Sequence, residues 1–530
     1  MLTGAGTDPD LTRAGVGRDP CHVLPAPDPE SVMTHRALAN VGLAACFCLS
    51  APAALAQVTA EELWAEWQAQ AAATGQPVTA ATVTETGNGL TLGGVTSQYV
   101  DSDVSVRSAV DEIRMVENSD GGVDITMSQP YRISLTFPVD GSPGEATIEV
   151  LLFHENLAIT ANGPVEARTY SYTADLLTMT EGAITSGGMP VSMELDGEMR
   201  GLNAEYIVDG RNPDNLAITS TTQLDSIAIG LDLRPEDPGQ GYLKSSFQMA
   251  DLATTGNATL GAIGALAEAD GLPEGFALDS VVEYGALAFV FDLQQPGEPL
   301  RIANSTRGGS LSTTINDTML AYGIAATGSQ WELEAPDLPL PIEVSAGQSE
   351  FRFEIPVAAA PDPQGFAARL AYEDVMLDDT IWAMMDPAQV VPRDPISLVA
   401  DVSGMVRVLV DMMQTDPGSL NAPPGELRSL DINELRVAAA GAELTGDGAL
   451  TFAGGQAMPL PQGRVELGLS GGLALLDRLQ ASGAVPAEEM VGIRAALGAF
   501  ARPGATPDTL ESTVEFGPNG TITANGLPLQ

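Results

Sequence analysis

The chain has 530 residues and carries 70 acidic against 23 basic side chains, a formal charge of −47. Such a charge opposes binding to nucleic acid and to anionic membrane surfaces, because both present negative phosphates. Hydrophobic residues make up 44% of the chain, too many for a disordered acidic tail and enough to build a core.

Residues 1–32 are rich in Pro, Gly and Asp and read as an upstream mis-start or an extension outside the fold. Met33-Thr-His-Arg36 then supplies a short basic segment, residues 37–49 an apolar run broken only by Asn40, and Ala54-Leu55-Ala56 the small residues of a signal-peptidase site. The expectation is a signal peptide over 33–56, cleavage after Ala56, and a periplasmic address. Leu43-Ala44-Ala45-Cys46 has the form of a lipobox. The apolar run continues past it through Phe47-Cys48-Leu49, which favours the soluble route over a lipoprotein anchored at Cys46. All three cysteines, Cys21, Cys46 and Cys48, precede Gln57, so the mature chain has no disulfide to form.

Thr59-Ala-Glu-Glu62 is a capping box, and Leu63, Trp64, Trp67 and Ala71 follow at helical spacing up to Gly75. From there the pattern has period two. Ile113-Arg-Met115, the turn Asn118-Ser-Asp-Gly-Gly122 and Val123-Asp-Ile125 predict a hairpin. Short alternating runs follow at 133–137, 146–150, 157–159, 191–196, 203–208, 216–219, 226–233, 286–292, 311–315, 341–356 and 396–410. One face is apolar and the other polar, as in an antiparallel sheet with one solvated side. Helix is expected at 260–269, at Asp379-Thr-Ile-Trp-Ala-Met-Met385, at 473–480 and at 486–500, the last with Met490, Ile493, Leu497 and Phe500 on one face. Val514-Glu-Phe516 and Thr521-Ile522 close the chain as a hairpin. The fold class is therefore mainly β (α+β), with meandering antiparallel sheets and a few covering helices. Arg234-Pro-Glu-Asp-Pro-Gly-Gln-Gly241 is the best linker between an N-terminal helix plus β lobe at 57–235 and a second β-rich lobe at 242–530.

Elimination says most about chemistry. His154 is the only histidine after Gln57, so a two-histidine metal site and a Cys–His dyad cannot form within the mature chain. Gly468-Leu-Ser470-Gly-Gly472 fits Gly-x-Ser-x-Gly between a strand-like and a helix-like stretch, but no histidine follows Ser470. Lys244 is the only lysine and lies in a loop-like stretch, with nothing to lower its pKa for Schiff-base chemistry. Asp378-Asp379 reads as a helix cap, and 5% aromatic content argues against a sugar-stacking groove. Glu117-Asn-Ser-Asp-Gly-Gly-Val-Asp124 and Asp209-Gly-Arg-Asn-Pro-Asp-Asn215 are oxygen-rich turns of the kind that hold calcium, but neither has the EF-hand spacing. No catalytic, cofactor-binding or metal residue is assigned, and the expected cofactor set is none, with calcium as the weaker alternative.

Three stretches together resemble a known family. They are Glu61-Glu-Leu-Trp-Ala-Glu-Trp67, then Ile381-Trp-Ala-Met-Met-Asp-Pro387 with Pro392-Arg-Asp-Pro395 and Asp401-Val-Ser-Gly404, and the tail with Gly472-Leu-Ala-Leu-Leu-Asp-Arg-Leu, Arg502-Pro-Gly504 and Gly520-Thr-Ile-Thr-Ala-Asn-Gly526. The pattern resembles the bacterial family called domain of unknown function 2125, exported proteins of Gram-negative envelopes, across most of 57–530. The Pro-Arg-Asp-Pro segment is its most specific piece. These are packing motifs, so no functional residue is carried over. The resemblance implies an exported, β-rich envelope protein.

The expected function is non-enzymatic, with a lipid or other apolar ligand, or an envelope protein, as partner. An acidic, calcium-dependent interaction module is the alternative, and a hydrolase using carboxylates or Ser470 comes third. No nucleic-acid partner and no integral membrane span in the mature chain are expected.

Overall fold

The computed structural model describes residues 58–529, except for 74, 101–103, 140–143, 212–214, 235–238, 240, 262–274, 339, 414, 416–419, 421–422, 454–459 and 484–485. The expected signal segment and Cys46 lie outside these residues. The first element is helix α1, Ala60–Ala73. Its capping box forms in both directions: Glu62 N donates to Thr59 Oγ1 (3.2 Å) and Thr59 N to Glu62 Oε2 (3.1 Å). Leu63, Trp64 and Trp67 fall on one face and are buried against Leu90, Leu92, Val95, Val110, Ile113 and Met115. Tyr170 and Val208 also belong to this core cluster, and Ile218 packs against it half-buried.

Most of the rest is strand, and among the described residues the strand pairings are antiparallel. The ladder starts with Val78–Thr86 on Gly89–Val100, which pairs in turn with Ser105–Glu117. There it divides into two tracks. Val123–Met127 and Ala158–Asn162 form one, and Tyr131–Pro138 and Glu145–Glu155 the other. Both rejoin on Arg168–Ser186, long enough to serve both. Met193–Asp209, Asn215–Leu233 and Tyr242–Gly261 follow edge to edge. A second division, through Ala277–Tyr284 and Gly308–Ile315 on one track and Leu287–Gln294 and Leu300–Thr306 on the other, closes on Met319–Glu334. Then come Ile342–Pro356, Gln364–Leu377, Ile396–Val408, Gly425–Ala439, Ala442–Phe452, Pro461–Ser470 and Thr509–Phe516, each beside the one before. Antiparallel neighbours need only short connections, so a single meander builds the whole sheet without crossover helices.

Three further helices interrupt it: α2 (Asp379–Met385), α3 (Gly472–Ser482) and α4 (Ala487–Phe500). In α4 only Met490 of the expected apolar face is fully buried, and Ile493 and Phe500 stay exposed. The helix expected at 260–269 begins with residues that instead end a strand, Leu260 and Gly261, paired with Leu216 and Asn215. Its remainder lies outside the described residues. The expected lobe boundary at 234–241 does not interrupt the ladder, because Leu233 pairs with Leu243 and the two strands stay in register to Asn215 and Gly261.

The alternation slips by one residue along a line across the sheet. In Met193–Asp209 the apolar positions are Met193, Leu195 and Met199, then Leu202, Ala204, Tyr206 and Val208. Left-handed backbone at Gly201 (φ 66°) and at Asp251 on a nearby strand (φ 53°) marks that line. The register is unbroken across this line, Arg200 pairing with Ser226 and Asn203 with Gln223, so neighbouring strands change face together and the apolar set stays aligned on either side.

Candidate functional site

None of the candidate catalytic residues is brought together with another. His154 lies in Glu145–Glu155 and Ser470 ends Pro461–Ser470, with more than ten strands of the ladder between them. The His154 ring is already engaged. Its Nε2 lies 3.2 Å from the Met127 carbonyl, to which it donates, and Nδ1 lies 3.4 Å from Gln129 Nε2. The strand-to-helix turn at Ser470 forms as the motif predicts. Its backbone donors, however, are taken: Gly471 N donates to the Asp508 carbonyl (3.0 Å), Leu473 N to Asp508 Oδ1 (2.9 Å) and Ala474 N to Asp508 Oδ2 (3.2 Å). A carboxylate thus sits where an oxyanion would have to bind. Gly471 is required for a different reason, since a Cβ there would lie 2.0 Å from the Gly441 carbonyl oxygen.

The remaining candidates have structural partners. Lys244 Nζ pairs with Asp232 at 2.9 Å. Hydrogen bonds from Arg234 and Lys244 hold the Asp232 carboxyl down to about 2. Asp378 caps α2, accepting from Ile381 N at 2.9 Å, and Asp379 pairs with Arg393. In the first oxygen-rich turn, Asn118 Oδ1 accepts from Asp120 N and Gly122 N, and its Nδ2 donates to Asp124. In the second, Asp209 pairs with Arg211, and 212–214 lie outside the described residues. Among the described residues no group of three or more His, Cys, Asp or Glu is placed to hold a metal ion. No described helix is long and apolar enough to cross a membrane. A cleft of about 400 Å³ is lined in part by Thr219, Asn257, Asp279 and Thr314, with Thr219 donating to Asn257 and Thr314 to Asp279 across strands.

The most extensive feature is a face. Reading straight across the ladder from Ala277–Tyr284, directly opposed residues are Val282, Leu311, Ile324, Phe351, Leu370, Ala400, Leu435, Gly446 and Leu467. Nine successive strands contribute no polar side chain to this row. Beside it run Tyr322, Phe353, Ala368, Val402 and Ile432 on one flank, and Tyr372, Leu398, Val437, Leu444 and Leu469 on the other. Phe353 packs against both Phe351 (ring centroids 5.8 Å apart) and Tyr322 (6.2 Å). These side chains are nonetheless left in water: Ile324 is 44% exposed, Phe351 42%, Tyr372 46% and Leu398 38%. A contiguous apolar area of this kind marks a site of interaction.

The other side of the same strands carries ion pairs. Arg369 reaches Glu350, Asp401 and Glu434 at 3.1, 3.1 and 3.2 Å. Arg436 reaches Glu443 at 2.7 Å and Glu373 at 3.3 Å. This side thus carries the ion pairs, with Ala371 and Val399 fully buried beside them, and the opposite side carries the exposed apolar row. Sequence reasoning missed the strands Met319–Glu334, Gln364–Leu377, Gly425–Ala439 and Ala442–Phe452, which carry much of the row. Their signal is present but diluted by Ala and Gly, as in Ala321-Tyr-Gly-Ile-Ala-Ala-Thr-Gly328.

No curated protein and no solved structure matches the chain. Residues 281–530, the segment that carries the apolar row from its first strand onward, match the family model described as an uncharacterized protein conserved in bacteria. The middle and C-terminal resemblance motifs fall inside that segment and the tryptophan helix does not. Over residues 281–530 the chain is similar to the bacterial family of domain of unknown function 2125, as the sequence motifs in that segment imply.

Proposed function

We propose that this is an exported, non-enzymatic protein of the bacterial cell envelope whose bare apolar sheet face holds lipid acyl chains. The observation that carries this reading is the unbroken row from Val282 to Leu467 with exposed aromatic and aliphatic side chains on it. A sheet face offers only side chains, because its backbone donors and acceptors are spent in the ladder. A peptide strand laid on it would bury its own polar backbone without partners. An acyl chain has no such groups and gains about 25 cal/mol for each Å² of apolar surface removed from water. A second copy of the chain fits less well, because a formal charge of −47 on each copy opposes close approach. The signal-like segment before Gln57 supports the periplasm as the working compartment.

The test is native mass spectrometry of the protein exported to a bacterial periplasm and purified without detergent, with lipid extraction of the same sample. Co-purifying lipid in stoichiometric amount is the expected result. A folded, lipid-free protein that also fails to take lipid from vesicles would end the proposal.

A further inference from the structure

We infer that the apolar face holds lipids in a row, more than one lipid molecule per protein, and does not carry a single lipid in a single pocket; this rests on the lipid reading above. The face is a long track. At one end of its central row Val282 is followed by Thr254 on the next strand, and at the other Leu467 is followed by Ser512, while the flanks run on there through Leu510 and Val514. Between Val282 and Leu467 lie eight strand spacings, about 38 Å measured along the sheet at ~4.8 Å each. One acyl chain spans half the hydrocarbon thickness of a bilayer, about 15 Å. The track is therefore more than two chains long. From Leu370 to Leu467 it is also about three side-chain rows wide, each row roughly 7 Å from the next along the strands.

Nothing on the track confines a chain to one place. The only rung without a side chain is Gly446, and its neighbours close over it. A Cβ there would lie 2.9 Å from Leu467 Cδ2 and 3.4 Å from Leu435 Cβ. No charged residue enters the row, so contacts are dispersive and similar along its length. A surface of that kind selects apolar chains without fixing their register, and it fills in proportion to its length. The acidic remainder of the chain favours lipids whose headgroup carries no net negative charge.

The experiment uses phosphatidylcholine vesicles as the lipid source and counts lipids per protein by native mass spectrometry. The wild-type chain should carry two or more phosphatidylcholine molecules. Val282→Asp and Leu467→Asp place a charge at opposite ends of the track, and each should lower the load without abolishing it. Circular dichroism shows that each variant is folded, and the wild-type count decides the matter even where a variant does not fold. A wild-type load of one lipid, or complete loss of lipid in either folded variant, would overturn the row while leaving a single-lipid carrier standing. No lipid on the wild-type chain overturns the proposed function itself.

Discussion

The chain builds the same alternating pattern twice, with opposite results. Around the first three strands the apolar side of the sheet is covered by α1, and Leu63, Leu92, Met115, Val123 and Tyr170 are all but fully buried. Beyond Ala277 the pattern is as regular, yet Ile324 and Phe351 stand in water at the centre of the face. Period-two alternation tells which side of a strand is apolar. It does not tell what lies on that side. The cover over the first region comes from one short helix with two tryptophans, held to the sheet by more than apolar contact. Glu66 on α1 and Arg168 on the sheet form an ion pair at 2.9 Å with side chains 4% and 5% exposed. Burial raises the Glu66 carboxyl to about 6, although Arg168 pulls the other way.

The contrast can be broken most directly at that pair. Arg168→Met leaves the Glu66 carboxylate buried without its counter-charge and should cost about 3–5 kcal/mol in urea unfolding. Leu63→Ala empties a fully buried site under α1 and should cost about 2–5 kcal/mol. Phe351→Ala, the larger truncation by volume, should cost much less, because its ring is 42% exposed, and should instead weaken lipid binding. Equal losses of stability for Leu63→Ala and Phe351→Ala would mean that something covers the second region after all.

A pH titration sharpens the same distinction. The folded-state pKa of Glu66, about 6, lies above its ordinary value of 4.5, so the fold holds this proton more tightly than the unfolded chain does. Unfolding between pH 4.5 and 6 therefore releases a proton. The contribution of Glu66 to stability is largest below pH 4.5 and is lost as pH rises through about 6. At about 1.4 kcal/mol per pH unit this amounts to at most ~2 kcal/mol. Glu66→Gln should flatten the urea midpoint across that window. Parallel profiles for the two proteins would show that Glu66 does not titrate in this way.

The sequence makes the mainly-β class, the tryptophan helix and its capping box, the hairpin at 113–127 and the C-terminal helix pair legible, because each is signalled by residues close together in the chain. The row is not legible. It exists only in cross-strand register, where Leu311 meets Ile324 and Leu370 meets Ala400. Register depends on turn lengths, and the face a strand presents on irregular points such as Gly201 and Asp251, which no local pattern announces. The Asp508 cap on α3 was hidden for the same reason, 35 residues separating it from Leu473.

The smallest effect separates the two kinds of ion pair. Arg369 sits on the outer side of the open sheet, 18% exposed, between Glu350, Asp401 and Glu434. Water reaches these groups, so attraction is weakened by solvent and side-chain ordering offsets much of what remains. Arg369→Gln should cost about 1 kcal/mol or less at physiological salt. The variant leaves three carboxylates facing one another, a repulsion that dissolved ions screen over about 8 Å at 0.15 M and about 3 Å at 1 M. The loss should shrink as salt rises, whereas the Arg168→Met loss should not, because ions do not enter the buried site beneath α1. Urea unfolding of both variants at low and high salt reads this directly. A salt-independent loss for Arg369→Gln would place that network in a dry environment and would mean that the polar side of the sheet is the one covered by a partner.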